Sequence, residues 1–277
     1  MRSVRLCVLS SGSSGNCLWV EAGGTRALID AGLPLRETAH RCARAGISLR
    51  DVTDVFLTHE HADHAHGAGV LGRKLGVRIH ATRGTLRALR DPPPEELRFA
   101  VRAGVPVQMG GLRVVPVAVP HDAHEPVAYV LEDATVRAAI VTDLGCAPRA
   151  LVRALQNLDA LILEMNHDLR MLLDGPYPWT LKQRVRSDRG HLSNAQGAQL
   201  LAQVLHPGLR HLVLAHLSEH NNTAARARRE AEKVLSKYGS SASLALGSQS
   251  RPLDPVVLDP CAPALALRRA RQLALFA

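Results

Sequence analysis

"THEHADHAHG", residues 58–67, puts four histidines and two acids into ten positions. So many titratable groups repel one another or stand idle unless something binds them together. A divalent cation accepts imidazole and carboxylate alike. The preceding "DVTDVFLT" (51–58) reads as a buried strand that stops just before His59. Ligand sites in open α/β sheets favour the carboxyl ends of strands. The spacing His-x-His-x-Asp-His lets His59 and His61 share one ion while Asp63 and His64 turn toward a second. His66 falls at the start of the next helix and reads as a bystander. With no cysteine in the set, a soft metal is disfavoured and zinc, manganese or iron fit.

On either side of this loop, short apolar runs alternate with helix-like segments. Strands are expected at 4–9, 17–22, 26–30, 52–57, 77–81, 113–119, 127–132, 136–142, 159–164, 210–215, 242–247 and 255–258. Helices are expected at 35–45, 67–75, 82–89, 148–157, 194–205 and 223–237. "DPPPEE" (91–96) and "LDGPYPW" (173–179) read as loops. A strand-rich opening followed by repeated strand–helix units predicts an α/β layered fold. Residues 1–258 are expected to form one domain with pseudo-two-fold halves, and 259–277 a tail, a short helix or a loose end of no assigned role.

The 277 residues are ample for a buried core, and 46% hydrophobic with 21% charged is ordinary for a globular protein. No apolar run approaches the roughly 18 residues of a membrane span. Arginines interrupt the apolar stretch of "MRSVRLCVLSSGSSGNC", so no signal peptide is read and the default is cytoplasmic. Cys7, Cys17, Cys42, Cys146 and Cys261 are scattered and odd in number, which suits small buried hydrophobes better than disulfides. The formal charge is +9, and only Lys74, Lys182, Lys233 and Lys237 are lysine. Codon bias would produce the same arginine preference, but a basic surface favours polyanions whatever its origin.

"THEHADH" resembles the H-x-H-x-D-H signature of the metallo-β-lactamase superfamily. The resemblance implies a four-layer αββα sandwich with a two-metal site on its edge and further ligands downstream. Each candidate stands where an apolar run stops. "VPHDAHEP" offers His121 or His124, "VTDLG" offers Asp143, and "LVLAHLSEHNN" offers His216. His121 is preferred because it directly ends the strand "RVVPVAVP"; His124 would then line the pocket. By resemblance His59, His61 and His121 hold one metal, Asp63, His64 and His216 the other, and Asp143 bridges them. Asp30 in "LIDAG" matches the superfamily's early Asp-x-Gly motif, which buttresses the site from behind.

The fold leaves esters, lactones and phosphodiesters open. Three features favour phosphodiesters. "LEMNHD" sets Glu164, Asn166 and His167 beyond another strand end. "SDRGHLSNAQGAQLL" carries His191 just before a helix, where Ser193 and Gln196 read as a capping box and the helix start is expected to aim N–H groups at an anion. Arg184, Arg186 and Arg189 crowd the approach. An alkoxide leaves poorly without a proton, and His191 backed by Glu164 can supply it, as in the similar pair of the ribonuclease Z branch. Asp63 is counted with them as catalytic. The flexible loop "LSSGSSGN" could bring N–H groups close to a phosphate.

Together "SSGSSGNC", "IDAG", "THEHADHAHG", "PHDAHEPVAY", "TDLG", "LEMNHD", "SDRGHLSN" and "LAHLSEHNN" resemble the YycJ/WalJ-like metallo-hydrolases of bacteria. That resemblance implies a manganese-dependent exonuclease (zinc fits the donors equally) that degrades DNA from its 5′ end and is linked to mismatch repair, with repair proteins as partners. Ser11, Ser13, Asn16, Asn166, His167, Arg184, Arg186, Arg189, Ser193 and Asn194 are then expected to meet the DNA. Alternatives are an RNA-processing nuclease, for which no Gly/Pro-rich arm is found, and a phosphodiesterase for small cyclic phosphates. A glyoxalase-like thioesterase would carry G-H-T-x-G-H where this chain has "PHDAHEP", and a binding module without catalysis would not need the full ligand set.

Overall fold

The structure, a computed structural model, describes residues 3–259; the expected tail beyond Asp259 lies outside the described residues. The first half runs β1 (Val4–Ser10), β2 (Cys17–Ala22), β3 (Thr25–Ile29), α1 (Leu35–Arg44), β4 (Asp54–Phe56), α2 (Ala62–Ala65), α3 (Ala68–Leu75), β5 (Arg78–Thr82), α4 (Arg83–Ala88) and β6 (Arg98–Val101). The second runs β7 (Val107–Met109), β8 (Leu112–Ala118), β9 (Val127–Glu132), β10 (Arg137–Val141), α5 (Arg149–Ala154), β11 (Ala160–Glu164), α6 (Leu169–Asp174), α7 (Trp179–Val185), α8 (Asn194–Val204), β12 (His211–Ala215), α9 (Ala224–Lys237), β13 (Ser243–Leu246) and β14 (Val256–Leu258).

Two seven-stranded sheets result, ordered β14-β1-β2-β3-β4-β5-β6 and β13-β12-β11-β10-β9-β8-β7. Each opens with antiparallel hairpins, β1-β2-β3 in one and β7-β8-β9-β10 in the other. Each then continues in parallel, β3-β4-β5-β6 and β10-β11-β12-β13. The repeated plan is the expected pseudo-two-fold.

Three apolar clusters explain the four layers. One, around Phe56, Tyr129, Ile140 and Ile162, fills the space between the sheets. A second joins β11 and β12 to α5, α8 and α9 through Leu161, Leu200, Leu201 and Ala231. A third packs Leu28, Val55 and Ile79 against Cys42, Ala68 and Leu71 of α1 and α3. Strands covered on both faces read as continuous apolar runs, which is why "ALILE" and "HLVLA" show no alternation. Among the described residues no helix is long and apolar enough to cross a membrane.

The twelve expected strands are present within a residue or two. Five short elements, α2, β6, β7, α6 and α7, were not expected. β6 is mostly exposed and β7 is three residues long, so neither shows a period. The loop expected at 173–179 is confined to residues 175–178, since α6 and α7 close on it from either side. Asp168 caps α6 through the Met171 N–H.

Candidate metal centre

His59, His61, Asp63, His64, His121, Asp143 and His216 converge on one edge of the sandwich, where β4, β10, β11 and β12 end. Asp30, Asp143 and His216 stand there in left-handed backbone, at φ 63°, 58° and 54°. Such a conformation costs a non-glycine residue about 1–3 kcal/mol and persists only where the surroundings enforce it. Gly32 explains part of the enforcement. A Cβ on it would lie 1.8 Å from the Asp63 carbonyl oxygen, so only glycine lets this turn press on the metal loop.

The donor atoms of His59, His61 and His121 lie within 4.8 Å of one another, as do those of Asp63, His64 and His216. Asp143 joins His59 and His64 in a third such group, so it stands between the two trios. Second hydrogen bonds fix most of the rings. His59 Nδ1 meets Thr58 Oγ1 at 3.0 Å, and His64 Nδ1 donates to Asp30 Oδ2 at 2.8 Å. His121 Nδ1 donates to the Gly190 carbonyl at 3.0 Å, and His216 Nδ1 to Glu164 Oε1 at 2.9 Å. Each of these four rings therefore turns Nε2 inward, the arrangement that outer partners impose on metal-binding histidines.

A cation fits what remains. His59 Nε2 is buried with no hydrogen-bond partner, and His121 Nε2 faces His61 Nδ1 at 3.4 Å. Burial, with His64 close by, keeps the His59 ring well below its usual pKa and so neutral. Burial also opposes charge on His216, yet Asp143, Asp63 and Glu164 outweigh it and push that ring up to about 10. The acids of the cluster thus exert a field that calls for positive charge. Imidazole and carboxylate without thiolate suit zinc, manganese or iron.

A fourth group, Asp143, Glu164, His191 and His216, is equally tight. Glu164 is fully buried, and its Oε1 accepts from both His191 Nδ1 and His216 Nδ1 at 2.9 Å. Its Oε2 accepts the Leu192 and Leu144 N–H groups at 3.0 and 3.2 Å. With four donors on it, this carboxylate is a hydrogen-bond hub. Burial raises its pKa, but His191 and the bonds from both rings outweigh that and hold it at about 2.

The family model for the beta-lactamase superfamily domain matches residues 25–217. The chain belongs to that superfamily. It is 35% identical over 235 residues to exodeoxyribonuclease YycJ of Bacillus anthracis, covering 84% of this chain and 89% of that one. Exodeoxyribonuclease WalJ of Streptococcus pneumoniae is 33% identical over 220 residues, 78% of this chain and 82% of that one. The metallo-β-lactamase-fold protein YhfI of Bacillus subtilis superposes with a TM-score of 0.69 at 17% identity, over 91% of this chain and 99% of that one. This member of the superfamily is a metal-dependent hydrolase of the YycJ/WalJ-like branch.

Its other expected site residues divide. His124 is exposed and bonded to Glu60 at 2.6 Å, away from the His59 group that His121 joins. His66 is exposed. Ser11, Asn16, Asn166 and Asn194 are buried and spent inside the protein. Ser11 Oγ accepts the His216 N–H at 2.7 Å. Asn16 reaches His64 Nε2 and the Gly12 carbonyl, both at 3.0 Å. Asn166 Nδ2 donates to the His216 carbonyl at 3.0 Å, and Asn194 pairs with Asn222 at 2.9 Å. All four support the metal loops. Ser13 is exposed at its loop tip, and His167 is buried with Nδ1 unpartnered.

The capping box of Ser193 and Gln196 is present. At that helix start the N–H groups of Ser193, Asn194, Gln196 and Gly197 bond to Gln196, His167, Ser193 Oγ and the Ser193 carbonyl. Arg186 is exposed, and Arg184, also exposed, pairs with Asp122 beside His121. Arg189 instead donates to the His121 carbonyl at 3.1 and 3.2 Å, so it braces a candidate ligand. Sequence reading missed Thr58, Glu60 and Asn222, whose roles depend on partners far along the chain.

Proposed function

We propose that this hydrolase is a phosphodiesterase acting as a 5′-to-3′ DNA exonuclease in DNA repair. In this reading His59, His61 and His121 hold one divalent ion, Asp63, His64 and His216 a second, and Asp143 reaches both. Bound there, such ions supply Lewis acidity and water of lowered pKa.

The observation that carries the phosphodiester reading is the pair of His191 with Glu164. Glu164 fixes the Nδ1–H of His191 at 2.9 Å, which leaves Nε2 to present a proton to the departing oxygen. The carboxylate stays ionised and steadies the imidazolium before transfer. A sugar alkoxide needs that proton, whereas the thiolate of a thioester leaves readily without it. His191 is partly exposed at the mouth of the cluster, where a substrate can reach it. Asp63, with 24% of its side chain exposed, can also accept a hydrogen bond from the attacking water. Arg184 and Arg186 line the approach and suit a phosphate backbone. The names of the two relatives support DNA as the polymer and an end as the place of attack. The exposed Ser13 loop tip is the candidate for meeting that end.

The test is digestion of linear DNA labelled at its 5′ end, circular DNA of the same sequence, and matched RNA, each with manganese. Rapid release of the 5′ label with the circle intact is expected. Efficient cutting of the circle would rule out exonuclease action. Activity confined to RNA or to cyclic nucleotides would transfer the assignment to an RNA-processing nuclease or a small-molecule phosphodiesterase.

A further inference from the structure

Of the two tryptophans, Trp19 is buried at 2% exposure and Trp179 stands 57% exposed. Trp179 belongs to an excursion that leaves the site at His167 and returns to it at His191. Leu169 and Leu173, one turn apart on α6, are also exposed. Three large apolar side chains are thus exposed within residues 169–179 of a protein only 3% aromatic, a local concentration of the kind that marks a binding surface.

The excursion is held firmly at both ends. Asp168 N–H donates to the Asn221 carbonyl at 2.9 Å where it departs, and the Tyr177 ring meets the His220 ring edge-on at 5.9 Å. Lys182 Nζ donates to the Leu173 carbonyl at 2.7 Å, tying α7 to α6. At the return, His191 N–H donates to the Val185 carbonyl at 2.8 Å. Trp179 and Val185 are the two ends of α7, so the backbone of Trp179 stands about 9 Å along the helix axis from the residue that holds His191. Between and beyond them, Arg186 is exposed, Arg184 is exposed and pairs with Asp122, and Arg170, 86% exposed across the loop, pairs with Asp174 at 3.6 Å.

We infer that Trp179 is a stacking platform for an unpaired base of the strand whose phosphate reaches His191. The inference rests on the phosphodiesterase reading above and adds the state of the substrate, a single-stranded or frayed end. An exposed aromatic ring beside arginines is what sequence-tolerant binders of single strands use. The ring takes any base by its face, and the cations track the backbone. A protein partner would also bury an apolar knob, but the excursion carries five basic residues, Arg170, Lys182, Arg184, Arg186 and Arg189, against three acids, Asp168, Asp174 and Asp188, a positive balance that suits a polyanion.

The experiment titrates the full chain with a dye-labelled phosphorothioate oligodeoxynucleotide that resists cleavage, reading tryptophan fluorescence for the wild type and dye anisotropy for the wild type and every variant. Parallel arms use the same strand with abasic terminal nucleotides and a matched RNA. Saturable quenching is expected with the intact strand, because the exposed indole meets a base while Trp19 cannot. Trp179→Ala should weaken binding about 5- to 150-fold, the worth of one base–aromatic stack, and Trp179→Phe should recover much of it. Removing the terminal bases from the strand should cost a similar factor. Quenching by RNA as strong as by DNA would keep the stack and change the polymer. Equal affinity for intact and abasic strands, or for wild type and Trp179→Ala, would overturn the proposal and leave the patch to a protein partner. Hydrolysis of a nitrophenyl phosphodiester by the wild-type chain, measured alongside, reports separately on the phosphodiesterase reading.

Discussion

Thr58 illustrates how much of this centre is decided one atom from the ligands. Its hydroxyl donates to Asp30 and so can accept from His59 Nδ1, which fixes that ring's tautomer. Gly32 acts by lacking a side chain. Gly32→Ala would drive a Cβ into the Asp63 carbonyl, backbone against backbone, and should cost about 1–3 kcal/mol by overpacking. Thermal melting and metal content should fall together; an unchanged metal content would mean that the glycine does not shape the loop. His191→Ala should slow cleavage of DNA by about 10²–10⁴. The loss should shrink on a nitrophenyl diester, whose leaving group needs no proton, and an equal loss on both would assign His191 to phosphate binding. The candidate ligands His59, His61, Asp63 and His64 stood out because their spacing is local, while His121, Asp143 and His216 were reached only through strand ends and the family resemblance. The fates of Asn16 and Asn194 were not. A small polar residue beside a turn reads the same whether it faces a substrate or a partner, and Asn194 pairs 28 positions away.

Among the elements, β4 is only three residues long yet carries the candidate metal loop, and one carboxylate reinforces its parallel ladder to β5. Asp54 accepts from His80 at 2.7 Å and from Arg78 at 2.7 and 2.8 Å. Burial pushes this carboxyl up, but the bonds from His80, Arg78 and Thr53 outweigh it and hold it below the usual range. A depressed folded pKa means stability that is present above the unfolded value of about 3.9 and is lost as pH falls below it. Asp54→Asn should therefore lower the denaturation midpoint at pH 7, and the gap from wild type should narrow near pH 3. A gap that is constant with pH would show that the charge contributes nothing. The long buried strands were readable from their apolar runs. α6 and α7 were hidden by Gly175, Pro176 and Pro178, whose turn signal spread over the short helices on either side.

The molecule as a whole carries a charge of +9, which predicts salt-sensitive binding to nucleic acid. Removing one cation that neutralises a phosphate should flatten the log–log salt dependence on single strands by about 0.7. Arg186→Ala should flatten it by that one step, whereas Arg189→Ala should damage the site itself, since its guanidinium holds the His121 carbonyl. Binding isotherms across a salt series separate the two, and an unchanged slope in Arg186→Ala would remove that residue from the strand path. The paired-half plan was legible in the order of the strands, and the metal edge in where they stop. Which face of the rim meets a strand was not, because that depends on how α6 and α7 stand against loops distant in sequence. Everything proposed for this edge depends on a hydrolytic centre that works with two ions. The decisive test strips the chain of metal and returns manganese or zinc by known equivalents, with metal content and diester turnover followed together. No turnover is expected in the stripped chain, and full turnover only at two ions per chain, with Asp143→Ala inactive though folded by circular dichroism. Full activity at one ion per chain, or activity that survives stripping, would contradict the two-ion centre.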